Sequence, residues 1–297
     1  MLHRLSRFYR RYPSLATLGF AVQPFPGYVN RRVNLHALEV VLLSVIVRGH
    51  GEHRIEDEVF EEHGNSVAVT HYGQRHDILT DRRGMDVINV YLDLKTHALP
   101  VLPRELNEVL PLFLPLHPRF VHRLNRIVRI QFDDLKPLTD QLFAIQRELN
   151  ERKPGHEEAA RMHFQLFLIH CCRRALEKGF VREQARSSPH ANLEQLRHYL
   201  DHHYAEHHTL ETLAQRVRLS RTSLCRAFKA YTGKRVFDYL IERRIQAAMM
   251  HLRGTDQKVL NVALESGFRD LAYFNRKFKQ LVGLTPSGYR KQLAGSN

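Results

Sequence analysis

The sequence predicts an α+β protein: a sheet-rich amino-terminal domain with a helical pair, followed by an all-α domain. Three observations lead to this prediction. Short apolar runs separated by Gly and Asn turns fill residues 35–94, as expected for several short strands. From about residue 120, apolar residues recur with the period of an amphipathic helix. Residues 193–293 are helical in pattern throughout and carry the same pattern twice.

Length and charge limit the class of protein. The chain has 297 residues and a formal net charge of +14, which is enough length for two domains with separate cores. Residues 191–297 hold 18 Lys and Arg against 9 Asp and Glu, so most of the excess charge lies in the last third. A surface this basic indicates a polyanionic partner, either nucleic acid or an acidic membrane surface.

The cysteines and the hydropathy pattern indicate where the protein works. Three cysteines give no disulfide framework in a chain of this length, which is typical of a reducing cytoplasm. No segment approaches the roughly 18 uninterrupted apolar residues of a membrane span. The basic start, MLHRLSRFYRRYP, lacks the apolar stretch and cleavage site of a signal peptide, and we interpret it as a mobile arm. We therefore expect a cytoplasmic protein.

The amino-terminal strands are the first elements that the pattern predicts. The run VVLLSVIV at 40–47 is rich in β-branched residues, and DVINVYLDL at 86–94 alternates apolar and polar residues. Between them, short strand-like segments alternate with Gly and Asn turns. This spacing predicts a small barrel or sandwich.

Two amphipathic helices follow, over about 120–178, and the breaker ERKPGH at 151–156 predicts that they form an antiparallel pair. Cys171 and Cys172 are adjacent on the second helix and point about 100° apart, so we interpret them as small buried residues. The polar segment VREQARSSPHAN at 181–192 is the predicted linker. The predicted domains are 1–180 and 193–293.

The repeated pattern in the last third is that of a helix, a turn and a second helix. The copies are 210–233 and 259–283, and each second helix begins after a polar N-cap candidate, Ser220 or Asp270. A small residue, Ala214 or Ala263, lies in each first helix and lets two helices cross closely. Each copy is therefore a predicted helix-turn-helix.

The spacing of apolar residues orients each second helix. Inward positions are Leu224, Phe228 and Tyr231 in the first copy, and Phe274, Phe278 and Leu281 in the second. The outward residues, which would face the major groove, are Arg221, Thr222, Cys225, Arg226 and Lys229, then Leu271, Ala272, Asn275, Arg276 and Lys279. Such helices also occur in ordinary bundles, but two copies joined by a spacer helix favour DNA binding. A spacer of this kind can set two reading helices about 34 Å apart, one turn of DNA.

The segment VLNVALESGFRDLAYFNRKFKQLVGLTPSGYR, residues 259–290, resembles the signature of the AraC/XylS family of bacterial transcription regulators. The resemblance covers about 100 residues and implies sequence-specific binding to double-stranded promoter DNA. The DNA-reading positions that it implies are Arg221, Thr222, Cys225 and Arg226, then Leu271, Ala272, Asn275 and Arg276. Lys229 and Lys279 lie late in their helices, so we expect phosphate contacts from them.

Not all of these positions can read a base equally well. Leu271 and Ala272 have no side-chain donor, so we expect less base reading from the second copy, with Arg276 as its strong polar reader. Cys225 is a weak reader in the first copy. Arg226 is therefore the best single candidate for specificity, because an arginine can bond guanine with two hydrogen bonds.

For the amino-terminal domain the resemblance implies a cupin-like β-barrel that senses a small molecule, with the helical pair as the dimerisation element. Residues 46–78 resemble that sensor type, and MDVINVYLDL at 85–94 with the helices after it also resembles the rhamnose-operon activators. We therefore expect a sugar or related polar metabolite as effector. The candidate effector-binding residues are His76, His36, Arg31, Arg32 and Tyr72.

Two other classes of function stay open from the sequence. One is a metal-dependent cupin enzyme fused to a DNA-binding module, and the other is an architectural protein that binds DNA without sequence preference. His36 and Glu39 are spaced three apart, but no His-x-His accompanies them, so we expect no metal ligands. We expect no cofactor, no enzymatic activity and no membrane partner. The expected partners are promoter DNA, the effector, a second copy of the chain and, for an activator, RNA polymerase.

Overall fold

The computed structural model describes residues 2–3, 5–55, 58–97, 99–107, 109–114, 128–178 and 191–294. They form two compact units. One is sheet-rich and lies within residues 2–178, and the other contains residues 191–294 together with the described residues of 103–112. The mixed α+β class predicted from the sequence is confirmed. No helix in the described ranges has the length and apolar character to cross a membrane.

The sheet-rich unit is built on antiparallel strands. Their bounds are β1 (Leu2–His3), β2 (Phe20–Tyr28), β3 (Ala37–Leu38), β4 (Val41–Arg48), β5 (His50–Ile55), β6 (Glu58–His63), β7 (Ser66–Thr70), β8 (His76–Thr80), β9 (Met85–Leu92) and β10 (Val128–Gln131). One sheet has the order β10-β7-β4-β9-β2 and another the order β6-β5-β8, while β1 and β3 form a short parallel pair. Among the described strands the two larger sheets do not close into a barrel.

The strands expected at 40–47 and 86–94 are β4 and β9, which pair with each other in the larger sheet. Strand β2 lies outside the region where the sequence predicts strands. It contains Pro24 and Pro26, which cannot donate ladder hydrogen bonds, and this lowers its strand signal. The structure places β2 at the edge of the sheet, where a missing donor is tolerated.

The basic segment at the start of the chain is helical, so its interpretation as a mobile arm is wrong. It forms α1 (Leu5–Arg11) and α2 (Pro13–Thr17). The backbone N–H of Leu5 donates to Glu39 Oε2 at 2.9 Å, and the Tyr9 hydroxyl donates to Asp93 Oδ2 at 2.5 Å. The segment is rich in arginine, but its apolar residues recur at helical spacing and pack on the core of the sheet.

The helical pair begins later than expected. Residues 128–131 form β10 on the edge of the sheet, beside β7, instead of a helix. Val128 and Ile130 alternate with polar residues there, and pairing with β7 outweighs the local helical period. The pair itself is α5 (Lys136–Glu151) and α6 (His156–Lys178), after two short helices, α3 (Arg104–Asn107) and α4 (Leu110–Phe113). The predicted start near 120 falls outside the described residues.

The two helices of the pair separate where the sequence predicts the break. Arg152 ends α5 with a positive φ of 50°, and Gly155 has a φ of 82°. Phe164 of α6 stacks on Phe20 of β2, with ring centroids 4.3 Å apart, which holds the pair against the sheet. Cys171 and Cys172 are both fully buried, and burial raises the pKa of the Cys171 thiol well above its ordinary value.

The described residues 191–294 form seven helices, in agreement with the helical pattern of 193–293. They are α7 (Ala191–His202), α8 (Leu210–Arg216), α9 (Arg221–Thr232), α10 (Val236–Gly254), α11 (Val259–Glu265), α12 (Leu271–Val282) and α13 (Pro286–Ala294). Of the predicted linker, residues 181–190 lie outside the described part, and residues 191 and 192 begin α7.

Candidate DNA-binding surface and effector cavity

The two helix-turn-helix units, α8–α9 and α11–α12, share the same turn. In the first the backbone N–H of Leu219 donates to the carbonyl of Ala214 at 3.0 Å, and in the second the N–H of Phe268 donates to the carbonyl of Ala263 at 2.9 Å. Both alanines are buried. In each copy this hydrogen bond joins two residues that are five apart in sequence, and it fixes the angle at which the second helix leaves the turn.

The predicted N-caps begin the second helices. The Ser220 hydroxyl accepts a hydrogen bond from the N–H of Ser223 at 3.2 Å, and the Asp270 carboxylate accepts from the N–H of Tyr273. Capping satisfies a donor that the helix itself leaves unpaired. Gly267 in the second turn has a φ of 86°, and a Cβ added there would lie 2.7 Å from Ala205 Cα, so this turn requires glycine.

The apolar faces of α9 and α12 lie in the core as predicted. Leu224, Phe228, Phe274 and Phe278 are fully buried. Tyr231 and Leu281 are half-buried. The exposed side chains on the opposite faces are Arg221, Thr222, Cys225, Arg226 and Lys229 on α9, and Leu271, Ala272, Arg276 and Lys279 on α12. Asn275 is half-buried. The structure therefore puts the candidate DNA-reading residues of each helix on one accessible face.

The arginines on these faces differ in their local partners. Arg221 Nη1 donates to Glu211 Oε1 of α8 at 2.5 Å, and the guanidinium of Arg276 lies 5.3 Å from the centroid of the Tyr273 ring. The Arg226 side chain forms no hydrogen bond or ion pair with any described residue. Its guanidinium is therefore the one of these three that DNA can bind without displacing an internal partner.

The sheet-rich unit contains a cavity of about 270 Å³. It is lined by Arg7, Phe8, Arg11, Tyr12, Phe25, Tyr28, His36, Leu38, Leu42, Ser44, His76, Asp77, Ile78, Val87, Asn89 and Tyr91. Two of the candidate effector-binding residues, His36 and His76, are in this lining. Arg31 and Arg32 are exposed on the loop before β3, and Tyr72 is buried, where its hydroxyl accepts from the N–H of Leu94 at 2.8 Å. Arg31, Arg32 and Tyr72 lie outside the lining.

Sequence reasoning missed a polar network on the cavity wall. Ser44 of β4 and Asn89 of β9 are cross-strand partners. The Ser44 hydroxyl donates to Asn89 Oδ1 at 3.1 Å, and Asn89 Nδ2 donates to the Tyr91 hydroxyl at 3.3 Å. Burial, together with the neighbouring Tyr12, raises the pKa of Tyr91. The sequence does hold a signal for this network, since Ser44 and Asn89 interrupt otherwise apolar strands.

A buried chain of ionisable groups ends at the same cavity. Glu62 Oε1 lies 2.9 Å from His53 Nδ1, and His53 Nε2 lies 3.2 Å from His76 Nδ1. Arg129 Nη2 lies 3.1 Å from the second oxygen of Glu62. Burial by itself raises the pKa of Glu62, but the hydrogen bond and charge of His53 and the charge of Arg129 outweigh it, and the net pKa is lowered.

The His76 ring also lies 4.7 Å from the His36 ring, centroid to centroid, and the backbones of these two residues are bridged. Despite this concentration of histidines, the described ranges contain no group of three or more His, Cys, Asp or Glu side chains arranged to hold a metal ion.

Comparison with known proteins identifies the helical unit. Residues 213–292 match a family model described as a helix-turn-helix domain. The uncharacterized HTH-type transcriptional regulator YdeC of Bacillus subtilis (strain 168) is 24% identical over 283 residues, 93% of each chain. The HTH-type transcriptional activator RhaR of Mannheimia succiniciproducens is 26% identical over 273 residues, 91% of this chain and 88% of that protein.

The helical unit contains a helix-turn-helix domain of the AraC type. The matched segment runs from α8 into α13 and so contains both helix-turn-helix units. Among solved structures, the DNA-binding domain of the global transcriptional factor AdpA in complex with a target DNA is 30% identical. That match covers 35% of this chain and 94% of that one, with a TM-score of 0.34.

Proposed function

We propose that this protein is an AraC/XylS-type regulator, that it binds promoter DNA sequence-specifically through α9 and α12, and that a small polar metabolite controls it. The effector class we propose is a sugar or a related compound. The observation that carries the proposal is the cavity, which combines aromatic walls with hydrogen-bonding groups in a chain that also presents two helix-turn-helix units. Small-molecule sites usually have this combination of apolar walls and a few placed polar groups.

The exposed face of α9 supports base reading. Arg226 is accessible, carries no internal partner among the described residues, and has the planar donors that match guanine. On α12 the exposed Leu271 and Ala272 offer only apolar contact, which suits a thymine methyl group. We therefore propose that α9 supplies most of the specificity and that α12 contributes Arg276, Asn275 and contacts to the DNA backbone.

The histidines support the effector assignment. His36 and His76 meet at the cavity, and the aromatic rings of Tyr12, Tyr28 and Tyr91 also line it, as suits the apolar face of a sugar ring. We propose that the sheets are the described part of a cupin-like sensor. In this proposal the sensor spans residues 1–180, the linker 181–192 and the DNA-binding domain 193–293.

The helical pair supports a homodimer. Phe143 of α5 and Met162, Leu166 and Leu176 of α6 are exposed apolar residues, which a second copy of the chain could cover. We propose that α5 and α6 carry dimerisation, and that an activator of this type would also contact RNA polymerase.

Thermal melting of the purified protein against a panel of sugars and related metabolites tests the effector proposal. A ligand present at 100 times its dissociation constant adds about 2.7 kcal/mol to the unit that binds it. The ligands that raise the melting temperature are then added to a fluorescence anisotropy titration with promoter DNA. A ligand that stabilises the protein and changes its DNA affinity supports the proposal, and stabilising ligands without any effect on DNA affinity contradict it.

A further inference from the structure

Two histidines face each other across the hairpin of β5 and β6. His50, at the start of β5, is the register partner of His63, at the end of β6. Successive residues of a strand point to opposite faces, so this pair lies on the face opposite to the buried His53 and Glu62. Both His50 and His63 are exposed. The hairpin therefore presents one imidazole from each strand to solvent at the same place.

The two rings approach each other through their Nδ1 atoms. These atoms are 3.1 Å apart, whereas the ring centroids are 4.8 Å apart, with the ring planes inclined by 30°. Zinc–imidazole bonds are about 2.0–2.1 Å long, and two such bonds to one ion would span the 3.1 Å separation at an angle of about 100°. This angle lies between those of neighbouring ligands in octahedral and tetrahedral coordination. The pair therefore has the spacing of two neighbouring ligands of one metal ion.

A carboxylate lies beside the other nitrogen of one ring. Glu61 Oε2 is 3.6 Å from Nε2 of His63, and a negative charge at this distance favours a proton on Nε2. A neutral imidazole with its proton on Nε2 has a lone pair on Nδ1. Histidines that bind metals commonly have a carboxylate at their second nitrogen in this way. We therefore expect His63 to present the lone pair of Nδ1 toward His50.

We infer that His50 and His63 form a binding site for one divalent ion of the zinc, nickel and copper group, with water in the remaining positions. Imidazole nitrogen suits these ions, whereas magnesium and calcium prefer oxygen ligands. Each Nδ1 gives a lone pair to the metal, and His50 exchanges its Nδ1 proton for one on Nε2 through water, so the protons balance. The inference uses neither the DNA-reading helices nor the candidate effector-binding residues, so it does not depend on the proposed function.

The site would connect two corners of the sheet-rich unit. His50 follows Gly49 in the turn from β4 to β5, and His63 precedes Gly64 in the turn from β6 to β7. The two corners already touch, because the backbone N–H of Gly64 donates to the carbonyl of Gly49 at 3.1 Å. Folding brings the two histidines together, so an ion held by both binds the folded state preferentially and should stabilise it.

The spacing in the sequence does not reveal this pair. The expectation of no metal ligands followed from the lack of a His-x-His near His36, a pattern within one strand, whereas His50 and His63 are thirteen residues apart. In the part of the chain that the structure describes, no third His, Cys, Asp or Glu is placed to complete the site. We therefore expect weaker binding than in structural zinc sites, which have four protein ligands.

Isothermal titration calorimetry of the full chain with zinc chloride tests the inference. The chain has 20 histidines, so the difference between variants, and not the total number of ions bound, assigns the site. We expect the double variant His50→Gln/His63→Gln to bind one zinc ion fewer than the unaltered chain. His207→Gln removes an exposed histidine of the helical unit and should keep that ion. Binding of the same number of ions with the same affinities by the double variant would overturn the inference.

Protection from chemical modification tests the same site without any variant. Diethyl pyrocarbonate modifies accessible histidines, and mass spectrometry of the digested protein gives the extent of reaction at each one. Zinc should slow the modification of His50 and His63 together and leave that of His207 unchanged. Equal reaction of both histidines with and without zinc would overturn the inference. This result decides even if the double variant does not fold.

Two glutamates on the same face provide a matched test of the positioning role of Glu61. Glu61→Gln should weaken zinc binding roughly tenfold or more. Glu52, the cross-strand partner of Glu61, lies 3.5 Å from Arg54 Nη2. Glu52→Gln therefore removes the same charge without changing the surroundings of His63, and it should weaken binding much less. Equal losses in the two variants would overturn the positioning role of Glu61.

Discussion

Phe228 of α9 meets Tyr239 of α10 edge to face, with ring centroids 5.6 Å apart, and Phe278 of α12 meets Tyr289 of α13 in the same way at 5.7 Å. The second helix of each helix-turn-helix unit is thus fixed by an aromatic pair to the helix that follows it. Such pairs contribute roughly 0.5–1.5 kcal/mol beyond the area that they bury. The repeat in sequence is therefore also a repeat in packing.

Truncating one of these rings should make the helical unit less stable. Phe228→Ala removes a fully buried ring and should lower the free energy of unfolding by about 3–5 kcal/mol. Urea unfolding followed by circular dichroism measures this change. Lys229→Ala is the matched control on the same helix, because its side chain is exposed and the change should stay within about 0.5 kcal/mol. Equal effects of the two changes would show that Phe228 is not a core residue.

Arg226, an exposed arginine of α9, should decide sequence preference. Arg226→Ala should weaken binding to the preferred DNA site by about 1–3 kcal/mol and affect unrelated DNA much less. Fluorescence anisotropy with the two DNA fragments measures both affinities at one salt concentration. Lys229→Ala should weaken binding to both fragments alike, as expected for a phosphate contact. A loss of the same size on both fragments for Arg226→Ala would make Arg226 a phosphate contact too.

The ion pair between Arg221 and Glu211 should restrain DNA binding. Both side chains are exposed, so the pair itself contributes little to folding. Glu211→Gln removes a negative charge next to Arg221, a candidate DNA-reading residue, and should raise DNA affinity several-fold at low salt, with a smaller gain as salt increases. Glu206→Gln is a control for the loss of one negative charge elsewhere in the helical unit. An unchanged affinity for Glu211→Gln at low salt would show that Arg221 lies away from the DNA.

Acid should weaken the sheet-rich unit through Glu62. The pKa of this carboxyl in the folded protein is below its ordinary value, so its contribution to stability is complete above the ordinary pKa of about 4.3. That contribution is lost as the pH falls through the lower folded pKa. Urea unfolding between pH 7 and pH 3 should show this loss in the unaltered chain. Glu62→Gln should be less stable at pH 7, because the buried Arg129 loses the negative charge of the carboxylate beside it.

The Glu62→Gln variant should also lose less stability than the unaltered chain over the acid range. Parallel stability curves for the two proteins would show that another carboxylate is responsible for the acid sensitivity. The comparison therefore assigns the pH dependence to one buried residue.

Features set by neighbouring residues are predictable from this sequence. The N-caps Ser220 and Asp270, the buried Phe228 and Phe278 and the break at 151–156 depend on local spacing alone, and the structure has them where the pattern puts them. The role of each exposed residue on α9 and α12 stays a prediction, because exposure shows access to DNA and not contact with it.

Features set by distant partners are not predictable in this way. Strand β10 has a local helical period, but its pairing with β7, some sixty residues earlier, decides its conformation. The cavity is lined by residues from α1, β2, β4, β8 and β9, and only the register of the sheet brings Ser44 opposite Asn89. The sequence makes Tyr72 a candidate effector-binding residue, but its hydroxyl accepts a hydrogen bond from the backbone N–H of Leu94.

Helix α10 is one rigid element that contacts both halves of the helical unit. Its Tyr239 packs beneath α9, and near its other end the carbonyl of Leu252 accepts a hydrogen bond from Arg290 of α13. A rod of 19 residues stretches and twists very little. Inserting one base pair between the two half-sites of a promoter would rotate the second half-site about the DNA axis by roughly a tenth of a turn. We therefore expect the protein to tolerate base changes in that DNA spacer much better than a change in the length of the spacer.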